Sequence, residues 1–441
     1  MRHLAPAGMQ GPALCERAHR FSAGHQAFIR VALAPRDGRE DCRVGRMGIL
    51  ILLTALVLML GQTHFDIVHR SLDNVRWLAF ALMGFAYFMV VASAGHRTRR
   101  ARVPDVIIVA WVAYAFLSTL YSIEPVLTVQ RSTTLLLMYV AVFWAAWRYA
   151  GQHGEEKAIE IVLWALLIVC AAGLLMLPVD EGVWVRGRFR GLMENPNSLG
   201  LLAGVMFPVA LERLHARRWP RYWVLVGIMA VSLVLTASRG GILAALIGSA
   251  YVLWKARRRT FLAGAVALLF AALWVGTSSR LKERWIENPI LRAETIRTGS
   301  GRISEAWPAA MTIIGERPLL GHGFGTEDLL FEAYGYDPKS FREHTGSYLH
   351  NSYLGLTAQT GLVGALAFFG PLLYLLVWSA LRSLHDGALD LKHGLQGVLI
   401  AALVACFFES WIYSMGNSQA FPFWLSLMLL TRCNGRAHAH P

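Results

Sequence analysis

The chain has 441 residues, of which 55% are hydrophobic, and carries a formal net charge of +14. That apolar share excludes an ordinary soluble domain and places the chain among membrane proteins. The positive charge does not point to nucleic acid, because much of it sits in short links between apolar runs: HRTRRAR at 96–102, ERLHARRWPR at 212–221 and KARRR at 255–259. Basic links beside membrane spans are orientation signals and anchors for anionic lipid headgroups.

In chain order, residues 1–46 are polar, rich in Arg, Gly and Pro, and lack a cleavable signal-peptide pattern. They are expected to be a disordered cytoplasmic segment, and Met47 opens the first apolar run. Runs follow near 47–63, 75–95, 104–121, 130–150, 158–178, 198–213, 221–237, 240–255, 260–277, 351–380, 395–413 and 419–432. Most approach the ~20 residues that cross hydrocarbon as a helix. The expected fold is all-α, a polytopic bundle of about twelve transmembrane helices. Nine helices fall within 47–277 and three within 350–433, with a cytoplasmic tail at 434–441. Alternation then puts both termini and the basic links in the cytoplasm. The run at 351–380 is long and contains Gly and Pro, which predicts a break or an interfacial portion.

The stretch 278–349 is the one long loop, on the face away from the cytoplasm. From Thr277 to Tyr348 it holds nine Lys/Arg against ten Asp/Glu, so its charges nearly cancel. ISEAWPAAMTII at 303–314 and TEDLLFEAY at 326–334 have the pattern of short helices lying on the membrane surface. GSGR at 299–302 and GHGFGT at 321–326 are turns, the latter with possible backbone contact to a substrate. An ordered loop of this length is uncommon without function.

Three arginines, Arg186, Arg188 and Arg190, lie in VWVRGRFRGLMENPN on that same outward side, and Arg239 opens another outward turn in TASRGG. Lys and Arg normally favour the cytoplasmic side. Arginines against that bias suit an anionic group, because the guanidinium is always charged and binds phosphate through two parallel hydrogen bonds. Pairing with Glu181 and Glu194, or snorkelling to headgroups, is the plainer alternative. Arg131 is a weaker candidate. His350, followed by Asn351, stands where the loop returns to the bundle, and a neutral imidazole there is a candidate general base. Asn351 would orient it or bind a sugar hydroxyl. In NPN at 195–197, Asn197 reads as the cap of a helix starting at Ser198. Cys15, Cys42 and Cys433 lie on the cytoplasmic side, and Cys170 and Cys406 within spans, so no disulfide is expected. No spacing fits a metal knuckle, and neither a metal nor another cofactor is expected.

The order of these motifs resembles the O-antigen ligase and polymerase superfamily: R-x-x-G before NPN, SRGG after a span, GSGR and GHGFGT in the long loop, then HN. His350-Asn351, nine residues, Gly361, two residues and Gly364 resemble the ligase branch's H-[NSQ]-x9-G-x-x-G pattern. The resemblance covers about residues 47–432. It implies a bacterial inner-membrane glycosyltransferase of the helical, lipid-donor type. Such an enzyme takes polysaccharide from undecaprenyl diphosphate at the periplasmic face and places it on a sugar hydroxyl of lipid A–core, in lipopolysaccharide biosynthesis. It implies roles for Arg188, Arg239 and Arg302 as anion-binding residues and for His350 as the base. Arg186 and Arg190 join the substrate-binding set from charge and location, and Asn197 of the NPN motif is included with them. The expected partners are the glycan-loaded carrier, lipid A–core and membrane lipids, with no nucleic acid. A polymerase or a protein O-oligosaccharyltransferase of the same superfamily is the nearest alternative. A lipid or polysaccharide transporter fits less well, because the charge lies at the rim rather than mid-span.

Overall fold

The computed structural model describes residues 38–94, 101–185, 187–256, 305–336, 348–383 and 389–436. The expected span at 260–277, Arg186, Arg302 and GSGR lie outside these residues. Residues 1–46 are a separate unit, and the architecture below is that of Met47–Pro441.

The apolar runs fold as helices: α1 (Gly38–Leu60), α2 (Asp66–Ala94), α3 (Val103–Leu117), α4 (Pro125–His153), α5 (Glu155–Leu175), α6 (Pro196–Arg217), α7 (Pro220–Thr236) and α8 (Arg239–Lys255). After the undescribed stretch come two short helices, α9 (Trp307–Glu316) and α10 (Glu327–Ala333). Then follow α11 (Ser352–Arg382), α12 (Leu391–Ala405) and α13 (Ala420–Arg436). Among the described residues, six helices are long and apolar enough to cross a membrane: α2, α3 with the turn that follows it, α4, α5, α6 and α11. Shorter apolar helices are Met47–Leu60 within α1, α7 and α12. The chain is an all-α polytopic membrane protein. The only sheet among the described residues is a hairpin, β1 (Trp184–Val185) with β2 (Arg188–Phe189), in the α5–α6 connection.

The centre of the bundle is α8 packed on α6 and α12, with α7 against α6. Small residues allow α6 and α8 to touch backbone to backbone. A Cβ on Gly204 would lie 2.2 Å from the Gly241 carbonyl oxygen. Close approach through small residues is a main source of helix–helix packing where no hydrophobic drive separates helix from lipid.

The α5–α6 connection is pinned to the α1–α2 turn. His64 N–H and the Thr63 hydroxyl both donate to the Leu192 carbonyl, at 3.2 and 2.6 Å, and Glu194 N–H donates to Gln62 O at 2.6 Å. His64 Nε2 meets Asp180 Oδ2 at 3.2 Å. The Gly182 N–H and His64 together hold the Asp180 carboxyl below the usual carboxylate range.

At the opposite end, the last turns of α6 and α13 form ion pairs with neighbouring glutamates at the start of α5. Buried Arg213 bonds to Glu212 at 2.7 Å and to Glu156 at 3.1 Å, and Arg432 bonds to Glu155 at 3.0 Å. These pairs join helix ends, whereas the pairs at the other rim, His64–Asp180 and Arg131–Asp328, sit among turns and loops.

One sequence expectation holds, the break in the run at 351–380, and three change. α11 breaks at Gly361, whose φ of 65° and ψ of −176° are not helical. The segment 317–323 fills the break. Leu362 N–H donates to Pro318 O at 2.8 Å, and the N–H groups of His322 and Gly323 donate to Gln359 O at 3.0 and 2.8 Å. Away from water every freed backbone group needs such a partner. GHGFGT is thus buried in the fold and its donors are spent internally, down to Phe324 N–H on Ser118 Oγ and Gly325 N–H on Gln359 Oε1.

The apolar run at 395–413 is not one helix. α12 ends at Ala405, and residues 406–419 form an irregular loop. Ser352 from the start of α11 holds that loop: its N–H donates to Cys406 O at 2.7 Å and its hydroxyl to Glu409 O at 2.7 Å.

α9 and α10 bury their apolar faces against the bundle. Ala309, Ala310, Ile313 and Ile314 of α9 cluster with Leu330, Phe331, Leu349 and Ala358. Arg131 is held in place by two parallel bonds to Asp328 at 3.0 and 2.8 Å and a further bond to Gly325 O. It is a structural strut of α10.

Candidate active site

Four connections converge at the rim away from the Arg213 and Arg432 ion pairs: the hairpin before α6, the α7–α8 turn, the start of α11 and the loop 406–419. The hairpin, the first turn of α6, the start of α11 and the loop contribute polar side chains and the α7–α8 turn a carbonyl, and the chain of contacts is continuous.

Arg188 on β2 donates from Nε to the Thr236 carbonyl at 2.9 Å and from Nη2 to Asn197 Oδ1 at 2.5 Å. Asn197 Nδ2 donates to Glu409 Oε1 at 2.9 Å. The other carboxylate oxygen of Glu409 is hydrogen-bonded to His350 Nδ1. Arginine and histidine, 162 positions apart by their numbers, are thus joined through one amide and one carboxylate.

The local sequence explains each placement. Pro196 has no N–H to lose and its fixed φ suits the first helical position, so α6 starts two residues earlier than its sequence pattern suggested. Asn195 is the cap, its Oδ1 accepting from Asn197 N–H at 2.8 Å. This corrects the capping role expected of Asn197 and leaves its carboxamide to bridge Arg188 and Glu409. At α8, Ser238 caps the helix by accepting from Gly241 N–H at 3.3 Å, which sets Arg239 as the first helical residue with an exposed side chain. The turn that carries Arg239 abuts the Glu409 loop: a Cβ on Gly240 would lie 2.7 Å from Phe408 Cβ. The same turn supplies Thr236 O to Arg188, so both arginines share one support.

His350 has a φ of 49°, in the left-handed region. A non-glycine residue there costs roughly 1–2 kcal/mol and persists where neighbouring contacts over-determine it. Those contacts are on both flanks. Leu349 N–H donates to Glu327 Oε1 at 2.9 Å, and Asn351 N–H donates to Ser410 Oγ at 3.1 Å. Asn351 caps α11, its Oδ1 accepting from Tyr353 and Leu354 N–H at 2.9 and 3.1 Å. Its oxygen is committed to the helix, and what it offers a substrate is the amide nitrogen. The side chains of His350 and Glu409 are 20% and 16% exposed, enough for a reactant to reach the ring and little enough to keep the carboxylate partly desolvated.

Arg190 faces its own connection. Its Nε donates to Gly182 O at 2.6 Å and its Nη1 to Glu194 O at 3.3 Å, so it bonds main-chain oxygens rather than the carboxylates of Glu181 or Glu194. Arg76 on α2, not singled out from the sequence, lies at this rim too, stacked 4.7 Å from the Trp77 ring and within 3.5 Å of Gly416 O. Glu409 was missed because its neighbours FFESWIY read as the end of a membrane span. A carboxylate at the tail of an apolar run that begins far from it was the available signal.

If the imidazole is neutral, Nδ1–H donates to Glu409 and Nε2 keeps its lone pair. A carboxylate that fixes the tautomer and steadies the imidazolium is the arrangement by which histidine serves as a general base. Adjacent cations at a rim that lipids and water both reach can neutralise a developing phosphate charge. Among the described residues no group of three His, Cys, Asp or Glu is placed to hold a metal ion.

These features define a polytopic membrane protein with a histidine–carboxylate pair and fixed arginines at one rim. Residues 224–369, less than half of the chain, match the family model described as O-Antigen ligase. No curated protein matches the chain. The matched segment includes Arg239, Arg302, His350 and Asn351, whereas Arg188, Asn197 and Glu409 lie outside it and are tied to it by the hydrogen bonds above.

Proposed function

We propose that the protein is an O-antigen ligase that transfers polysaccharide from undecaprenyl diphosphate to a sugar hydroxyl of lipid A–core. The reaction takes place at the periplasmic face of the bacterial inner membrane, with both termini cytoplasmic. The observation that carries this reading is the bonded chain Arg188–Asn197–Glu409–His350, which brings an arginine and a histidine to one rim.

His350 Nε2 takes the proton of the acceptor hydroxyl while Glu409 holds Nδ1–H. The hydroxyl oxygen attacks the anomeric carbon, and the bond from that carbon to the diphosphate oxygen breaks. The carrier diphosphate leaves with the electron pair and is stabilised by Arg188 and Arg239, with Arg302 and Arg186 as further anion-binding residues. Attack opposite the leaving group inverts the anomeric centre. Arg190 shapes the hairpin that presents Arg188, and the Asn351 and Asn197 amides border the acceptor. The bond broken in the donor drives the reaction, so no nucleotide is consumed.

The test offers purified protein the glycan-loaded carrier together with lipid A–core, a second loaded carrier or a pilin-like protein. Consumption of lipid A–core is the expected result. Consumption of the second carrier makes the protein a polymerase, and glycosylation of the pilin-like protein makes it a protein O-oligosaccharyltransferase.

A further inference from the structure

Glu327 is 2% exposed and stands at the start of α10, outside the bonded chain that the proposed reaction uses. A carboxylate so enclosed survives only where its oxygens are fully engaged. Its Oε1 accepts from Leu349 N–H at 2.9 Å. Its Oε2 accepts from the Tyr413 hydroxyl at 2.5 Å and from Gln359 Nε2 at 3.4 Å. Burial raises the carboxyl above its ordinary range, against the opposing hydrogen bonds from Ser410, Tyr413 and Leu349 N–H.

The partners of Glu327 belong to the two segments that bring the base and its carboxylate together. Leu349 immediately precedes His350. Tyr413 stands four positions after Glu409 on the loop 406–419. One carboxylate thus ties the peptide that carries the histidine to the loop that carries its partner. α10 is itself fixed from outside, because the neighbouring Asp328 is held by both guanidinium nitrogens of Arg131. His350 sits in a left-handed conformation between this anchor and the Asn351–Ser410 bond, so releasing either flank frees the ring to turn away from Glu409.

We infer that Glu327 is a positioning residue for the histidine base: through Leu349 N–H and Tyr413 it sets the distance between His350 and Glu409. This rests on the reading of His350 as the base. Glutamine at 327 keeps an oxygen for Leu349 N–H and a polar group for Tyr413, whereas alanine leaves both unmet.

The test measures kcat and KM for transfer by the full-length protein in proteoliposomes, with monodispersity and thermal transition followed in parallel. Glu327→Ala is expected to lower kcat by about 30-fold or more, with KM for the loaded carrier within about twofold, as for a base displaced by an ångström or so. Glu327→Gln is expected to stay within about threefold of the unsubstituted protein. Should Glu327→Ala not fold, Tyr413→Phe removes one hydroxyl and retains the ring, and kcat is expected to fall about fivefold at constant KM. Unchanged kcat in a folded Glu327→Ala or Tyr413→Phe protein overturns the inference, as does a Glu327→Gln protein as impaired as Glu327→Ala. A His350→Ala control separates the two levels: if it remains active, the base assignment fails, whereas an inactive His350→Ala beside a fully active Glu327→Ala defeats only the positioning role.

Discussion

His350 and Glu409, 59 positions apart, meet through Nδ1 and Oε2 at the rim of the bundle, and Glu409 gives its other oxygen to Asn197. A carboxylate shared between an imidazole and an amide cannot move toward one without leaving the other. The ring's direction is therefore coupled to the hairpin that holds Arg188.

Glu409→Gln tests that coupling. The amide cannot accept from both neighbours as the carboxylate does, and it removes the charge opposite an imidazolium. Transfer is expected to fall about 100-fold or more, with the protein still folded, as measured by initial rates in proteoliposomes. A rate within threefold would remove Glu409 from the mechanism.

Arg188→Lys and Arg239→Lys keep the charge and lose the planar fork. Lysine at 188 cannot reach Thr236 O and Asn197 Oδ1 with two fixed donors, so a loss of about tenfold to 100-fold in kcat/KM is expected. Arg190→Lys is expected to leave kcat/KM within about threefold while lowering thermal stability slightly, because Arg190 bonds main-chain oxygens of its own connection. Equal tolerance at all three positions would show that charge alone matters.

Much of this fold was legible as apolar runs of spanning length, because a helix in lipid must satisfy its own backbone and few other structures can. The break in α11 was legible as well, from Gly and Pro within a long run. What was not legible depended on tertiary hydrogen bonds. The apolar character of 395–413 continues past Cys406, yet Ser352 captures the Cys406 and Glu409 carbonyls and ends the helix there, which brings Glu409 to the site. Asn197 carried a local pattern that fits capping, and its amide serves a partner 212 positions away. Local propensity holds no record of such distant partners.

His322 gives a dependence on pH with a definite sign. Its Nδ1–H donates to Ala358 O at 2.8 Å, so Nε2 accepts from the Tyr334 hydroxyl at 2.6 Å, an arrangement that needs the neutral ring. Burial lowers its pKa below the ordinary value of 6.5. The stability it contributes is complete above that value and declines as the pH falls from it toward the folded-state pKa. The thermal transition of the protein is expected to drop between pH 7.5 and 5.5 by more than that of His322→Gln. Parallel curves for the two proteins would contradict this.

Gly361→Ala should destabilise by roughly 2–4 kcal/mol, because its φ is positive and a Cβ there would lie 2.1 Å from the Leu319 carbonyl carbon. Thermal unfolding in detergent reads the loss. A transition unchanged from that of the unsubstituted protein would mean that α11 runs unbroken.

The central claim is that His350 deprotonates the acceptor, and single-turnover transfer from glycan-loaded undecaprenyl diphosphate to lipid A–core measures it most directly. His350→Ala is predicted to slow that step by about 100-fold or more while leaving carrier binding intact. Transfer within about threefold of the unsubstituted rate would contradict the account.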